Sequence, residues 1–364
     1  MTAPPAPTTR RPHSPSGGTE EGPAVAQHRP SDAAAPTMRD VAARAEVSAM
    51  TVSRVLKDDP RVTEATRKRV LSAVDALGYR RNETARRLRV GGSGMIGLLV
   101  TNLANPFYSR LALGVQEVAY AHGLRVLLGN TAEQVDRERG LVEDLASSQV
   151  DGMIVVPASG SHRHLTPAAL HGMPLVLASR PPAGLEADCV LVDDFGGAEE
   201  ATGRLIEDGH RRIGFLGNPP ALYTGAERFR GYWAAHEAAG LEPDERHIRR
   251  GLSDVATAES AAVALLSQPD APTALFCTNN RLTQGAIRAV RTLDAPVSLA
   301  GFDDFDLADV LGLPLTIASY DADEIGRRAG QMLIDRINGG PGAPLPVRRS
   351  VVPIEVIRYG TDLT

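Results

Sequence analysis

Residues 37–56 read T-M-R-D-V-A-A-R-A-E-V-S-A-M-T-V-S-R-V-L, and their spacing predicts two short helices folded against each other. Thr37 is suited to cap the first helix, with Asp40 at the third helical position reaching back as the acid of a capping box. Val41, Ala42 and Ala45 give that helix one apolar side. Ser48 caps the second helix, in which Val52, Val55 and Leu56 recur toward a core and leave Ala49, Met50, Ser53 and Arg54 facing outward. With only about two or three residues between them the helices must cross steeply, as in a helix-turn-helix.

On the C-terminal side, Val62 and Thr63 open a third helix whose Val70, Val74 and Leu77 fall at helical spacing, with Gly78 as its C-cap. Residues 37–79 are thus expected to form an all-α helix-turn-helix headpiece. The next stretch, Y-R-R-N-E-T-A-R-R-L-R at 79–89, sets one large apolar side chain, Leu88, among five arginines. So short a helix is not stable alone in water, so residues 80–93 are expected to be a hinge helix and linker that order when something holds them. Ahead of the headpiece, residues 1–36 are rich in Pro, Ala, Ser, Thr and Gly without apolar periodicity, and are expected to be a disordered, passive extension, despite Arg10, Arg11 and Arg29.

Charge divides the chain in the same places. The net charge is −5, yet residues 38–90 carry thirteen Arg or Lys against seven Asp or Glu. Residues 1–37 are balanced at three against three, which leaves −11 on residues 91–364. A basic module on an acidic body is the pattern of a DNA reader joined to a part that does not touch DNA. Two cysteines, Cys189 and Cys277, make no disulfide framework, and the apolar runs are of strand length, so a cytoplasmic protein is expected.

From residue 94 the rhythm becomes strand–helix alternation. Strand-like runs stand at 95–100, 125–128, 152–156, 175–178 and 190–192, with helices at 108–122 and 136–148. A second series has strands near 212–216, 274–277 and 299–302, and helices beginning near Gly197, Glu227, Ala256 and Arg281. This predicts two parallel doubly wound sheets, and a cleft between two such lobes takes small ligands at the C-terminal ends of its strands. Gly92, Gly94 and Gly97 spell G-x-G-x-x-G, the mark of a dinucleotide loop, but they run into a strand instead of leaving one to open a helix. No Walker loop or G-x-S-x-G is present, and His162 and His164 lack partners at metal spacing. No catalytic group, metal or cofactor is expected. A secreted sugar-binding protein would account for the body but not for the headpiece.

The run D-V-A-A-R-A-x-V-S-x-x-T-V-S-R-V-L, followed by V-T-E-A-T-R-K-R-V-L and L-G-Y-R-R-N, resembles the headpiece of the lactose/galactose-repressor (LacI/GalR) family of bacterial transcription regulators. The resemblance runs from Thr37 to the end, and it implies a periplasmic-binding-protein-like (type I) α/β body of two lobes. These lobes would be residues 94–195 with 321–345, and 196–320 with 346–364, residues 321–338 being a helix that returns to the first sheet and 350–359 a strand of the second. It further implies a repressor acting as a homodimer on double-stranded DNA, at a near-palindromic operator, under control of a small carbohydrate-like effector.

For the headpiece, Arg54 would make paired hydrogen bonds to guanine in the major groove, while the apolar Ala49 and Met50 would meet thymine methyls. Ser48, Thr51 and Ser53, with Thr37 at the first cap, would touch the duplex backbone. In the hinge, Asn82, Ala85, Leu88 and Arg89 would sit in the minor groove, Leu88 as a wedge between base steps. For the cleft, Arg180, Arg228, Asn279 and Asp303 match effector-holding positions, with Arg228 and Asp303 on opposite walls of one lobe. Phe107 and Tyr108 would add an aromatic wall. The chain departs from the family pattern at Glu46, where Gly is usual in the turn, at Arg81, where Pro is frequent, and at Asn280, where Asp is common. Leu252 and Ser253 replace a frequent aromatic, which points away from an ordinary hexose.

Overall fold

The computed structural model describes residues 36–56, 59–79, 92–339 and 346–360. The chain divides into two compact units, Met1–Asn82 and Glu83–Thr364.

In the first unit α1 (Met38–Arg44), α2 (Ala49–Val55) and α3 (Glu64–Leu77) enclose a small core of Val41, Ala42, Ala45, Val52, Val55, Val70 and Ala73. Leu56, Val74 and Leu77 only flank it. The caps are those the residue types dictate. Asp40 accepts from the Thr37 backbone N–H at 2.7 Å while Thr37 Oγ1 accepts from the Asp40 N–H, and Ser48 Oγ accepts from the Thr51 N–H at 3.1 Å. Each cap satisfies a donor that a helix start leaves orphaned. Glu46 stands at φ 51°, the left-handed conformation that glycine adopts without strain, so the turn keeps its geometry at a conformational cost to glutamate.

The second unit begins with β1 (Met95–Val100), α4 (Pro106–Ala121), β2 (Arg125–Asn130), α5 (Val135–Ser147), β3 (Met153–Val155), β4 (Leu175–Ala178) and β5 (Asp188–Val192). It continues with α6 (Asp194–Glu207), β6 (Ile213–Leu216), α7 (Tyr223–Ala238), β7 (Ile248–Arg249), α8 (Val255–Leu266), β8 (Ala274–Cys277), α9 (Asn280–Leu293), β9 (Ser298–Phe302) and β10 (Leu315–Ser319). Helix α10 (Ala322–Asn338) and strands β11 (Arg349–Val352) and β12 (Glu355–Tyr359) complete it. The first sheet has the order β11-β5-β4-β3-β1-β2 and is parallel throughout. The second has the order β12-β10-β9-β8-β6-β7, parallel except for β12, which runs antiparallel to β10.

Two details differ from expectation. The run 350–359, expected as one strand of the second sheet, is two strands on different sheets, β11 beside β5 and β12 beside β10. Pro353 falls at the break, where it has no N–H to continue a ladder. The strands β7 and β10 escaped the pattern because β7 is only two residues long and the polar Thr316 and Ser319 interrupt the apolar run of β10. The chain therefore crosses between lobes three times, after β5, after β10 and after β11. Helix α10 does return to the first lobe, pressed so closely on α4 that a Cβ on Gly114 would lie 2.0 Å from the Asp323 carbonyl oxygen.

Candidate functional site

In the headpiece, Ser48, Ala49, Met50 and Arg54 are exposed, Met50 at 65%. Thr51 and Ser53 are half-buried and Thr37 is exposed at its cap. Helix α2 therefore presents one outward cation, two apolar side chains and several hydroxyls on a short rigid face. The expected hinge contacts Asn82, Ala85, Leu88 and Arg89 lie outside the described residues, as does nearly all of the N-terminal extension. Where the chain enters the body, Asp151 accepts from the Ser93 N–H at 2.5 Å and from the Gly94 N–H at 2.8 Å. The start of β1 is thereby tied to the loop before β3.

At the C-terminal strand ends of both sheets lies a cleft of about 320 Å³ lined by Phe107, Tyr108, Arg180, Arg228, Asn279 and Asp303, the six side chains read from the sequence. Glu133, Tyr320, Asn105, Asn218, Ser253 and Arg281 also line it. A cleft of this size with convergent polar groups suits a small molecule of a few rings.

The second lobe supplies a fixed cation. Arg228 donates from Nε to Asp194 Oδ1 at 2.7 Å and from Nη1 to the Thr278 carbonyl oxygen at 2.5 Å, and its Nη2 lies 3.3 Å from Asp303 Oδ1. Its guanidinium stacks 3.6 Å over the Phe302 ring. Arg228 and Asp303 are thus an ion pair in one network, not groups on opposite walls, and the unforeseen Asp194 at the start of α6 holds the guanidinium at Nε. Tyr320 donates to Asp303 Oδ1 at 2.7 Å, and Asp303 sits at φ 66°, an uncommon conformation held by its neighbours. Burial pushes the Asp194 carboxyl up to about 6, although Arg228 pulls the other way, and Asp194 Oδ2 has no hydrogen-bond partner among the described residues. Burial and then Asp303 raise the Tyr320 hydroxyl well above the ordinary range, so it stays a donor.

The first lobe is arranged differently. Arg180 donates from Nη1 to Glu133 Oε2 at 2.8 Å, from Nη2 to Glu133 Oε1 at 2.5 Å and from Nη1 to the Pro157 carbonyl oxygen at 2.6 Å, while its buried Nε has no partner among the described residues. Burial opposes its charge, and Glu133, with Tyr108 and Glu138, more than offsets that. Phe107 stands edge-on to Tyr108 and to Tyr320, and the Tyr108 hydroxyl accepts from Thr101 Oγ1 at 2.6 Å.

Asn279 caps α9, its Oδ1 accepting from the Leu282 N–H at 3.0 Å while Nδ2 donates to Asn218. The next residue crosses between lobes: Asn280 Nδ2 donates to Asn105 Oδ1 at 3.0 Å. Ser253 lines the cleft where an aromatic is frequent in the family, so the rings of the cleft come from α4 and from Tyr320. Glu133, Asp194 and Tyr320 were not read from the sequence. The usable signal was position, since each lies just past the C-terminal end of a strand.

Gly97 lies within β1, so the G-x-G-x-x-G run leads into a strand. Among the described residues one group, Asp244, His247 and Asp270, is close enough to hold a metal ion, but Arg246 already pairs with both carboxylates at 2.6 Å. No helix among the described residues is long and apolar enough to cross a membrane.

The family model of bacterial regulatory proteins of the lacI family matches residues 37–82, and that of the periplasmic binding proteins and sugar binding domain of the LacI family matches residues 93–352. The transcriptional repressor CytR of Escherichia coli K12 is 32% identical over 309 residues, 84% of this chain and 91% of that protein. The transcriptional regulator GalR of the same strain is 31% identical over 315 residues, 84% of this chain and 90% of that protein. Among solved structures, the transcriptional regulator CelR in complex with cellobiose is 30% identical, with a TM-score of 0.67 over 90% of this chain and 100% of that one. The Lac repressor dimer bound to operator and the anti-inducer ONPF shares the fold, with a TM-score of 0.78 at 23% identity over 89% of this chain and 98% of that one.

Proposed function

The chain belongs to the lacI family of bacterial regulatory proteins, and from that premise we propose that it is a cytoplasmic transcriptional repressor whose hold on operator DNA is controlled by a small hydroxyl-rich effector bound between its two lobes. The observation that carries the reading is the cleft itself, in which Arg228, braced by Asp194 and Asp303, faces the Arg180–Glu133 pair across a cavity walled by Phe107 and Tyr108. Such charge-assisted donors and acceptors suit the hydroxyls of a sugar, nucleoside or related metabolite.

A second copy of the chain is the partner that makes two headpieces read a near-palindromic site. Leu113 and Tyr120 on α4, at 61% and 83% exposure, and Leu127 and Leu128 on the edge strand β2 offer an uncovered apolar surface for it. Effector binding would alter the angle between the lobes across the three crossings. Asp151 would carry that change to residues 93–94, and thus to the connector that must be ordered on DNA.

Selection of operator sequences from random DNA with the purified full chain, followed by titration with sugars and nucleosides, tests this. A palindrome should be enriched and released by one class of metabolite. Arg54→Ala should erase sequence preference while non-specific binding persists, since a paired guanine contact carries roughly 1–3 kcal/mol of discrimination. Enrichment of no palindrome would refute the reading.

A further inference from the structure

Resting on the effector cleft proposed above, we propose that Glu133 is the residue that sets the charge class of the effector: by occupying the fork of Arg180 it keeps the cleft for uncharged, hydroxyl-bearing molecules and shuts out their phosphate esters and carboxylates.

Arg180 is only 6% exposed, and a guanidinium so placed requires an anion. Its two Nη groups meet the two oxygens of Glu133 in parallel, at 2.8 and 2.5 Å. That is the planar geometry by which arginine recognises a carboxylate or phosphate, so Glu133 fills the face an anionic ligand would take. The Glu133 side chain remains 33% exposed and lines the cleft. Its aim is set by the backbone: Ala132 and Glu133 are consecutive left-handed residues at φ 52° and 60°, and neither is glycine. The turn is pinned at both ends, with Thr131 donating to the Val100 carbonyl oxygen at 2.8 Å and Gln134 to that of Thr131 at 3.1 Å. Strain held in this way beside a ligand cleft marks a residue placed for function.

Charge bookkeeping over the whole cleft agrees. Glu133 pairs with Arg180, Asp303 and the more deeply buried Asp194 both pair with Arg228, and Arg281 is the third cation of the lining. Three cations against three carboxylates give the cleft no net positive charge to draw in a phosphate, and an ester would bring its charge against Glu133 itself.

The test uses the full chain and inorganic phosphate, which needs no knowledge of the effector. Wild type should show no saturable melting-temperature shift with phosphate beyond a chloride control of equal ionic strength. Glu133→Ala, which bares the arginine fork, should bind phosphate at least about tenfold more tightly than wild type. Glu133→Gln should do so less strongly, Glu133→Asp should behave as wild type, and adding Arg180→Met to Glu133→Ala should remove the gain. In the same samples ribose, galactose, uridine and adenosine would be compared with their phosphate esters, each ester gaining relative to its parent when Glu133 loses its charge. Saturable phosphate or ester binding by wild type, or no gain in either neutral variant, overturns the assignment of Glu133 while leaving effector control of DNA binding intact. Loss of effector-dependent DNA release in wild type would instead strike the underlying reading.

Discussion

The two walls of the cleft solve one problem, a buried arginine, in opposite ways. In the second lobe Arg228 is shared between Asp194 and Asp303, rests on Phe302 and is tied to a carbonyl, with all three carboxylate and cation side chains under 10% exposed. In the first lobe Arg180 relies on one carboxylate, a third exposed, at the tip of a strained turn. A cation held from several sides is scaffold as much as contact. One whose sole carboxylate is water-accessible, with a carbonyl as its other hold, can change partner, so selectivity is easier to alter there than on the opposite wall.

Removing each arginine tests the contrast most severely. Arg228→Ala strands two buried carboxylates and should cost about 3–5 kcal/mol of stability together with all effector response. Arg180→Ala leaves Glu133 free to turn toward water and should cost only about 1–3 kcal/mol. Chemical denaturation of both variants measures the gap, and equal losses would erase the distinction between the walls.

A smaller effect is expected from proton linkage. Because Asp194 is raised from 3.8 to about 6 in the fold, the folded state holds this proton more tightly than the unfolded chain does. Its contribution to stability is therefore full below about pH 4 and lost as pH rises through about 6. Wild type should lose about 1–2 kcal/mol relative to Asp194→Asn across that window, superposed on the opposite trend of carboxylates such as Asp188, whose pairing with Arg336 and Arg348 lowers them despite burial. Urea melts at several pH values read the difference, and parallel profiles would contradict it.

The smallest change concerns the first-lobe turn. Ala132→Gly relieves a left-handed alanine and should stabilise the fold by under about 1 kcal/mol, the relief being partly offset by glycine's larger unfolded-state entropy. The same variant should weaken effector selectivity by loosening Glu133, which ligand titration would reveal.

The headpiece was legible residue by residue because its determinants are local. Thr37 with Asp40 and Ser48 with Thr51 lie three apart, and Val52 and Val55 repeat at helical period. In the body most strands announced themselves by apolar runs, and the six cleft residues by their likeness to family positions. Their partners did not. Glu133 meets Arg180 across 47 residues and Asp194 meets Arg228 across 34, and no periodicity encodes which distant segments a fold will bring together. The misread 350–359 has the same origin, since one proline separates strands whose sheets are defined by residues far upstream.

Asp151 carries one more implication. It grips Ser93 and Gly94 through their main-chain N–H groups, Gly94 stands at φ 69°, and a Cβ on Gly92 would come within 3.1 Å of the carboxylate. Because most of that grip is on main chain, it is indifferent to whatever sequence precedes residue 92. A foreign reader grafted immediately before the G-G-S-G run would inherit the native mooring, and this gives protein engineers a natural seam at which to exchange what the molecule recognises without disturbing what it senses.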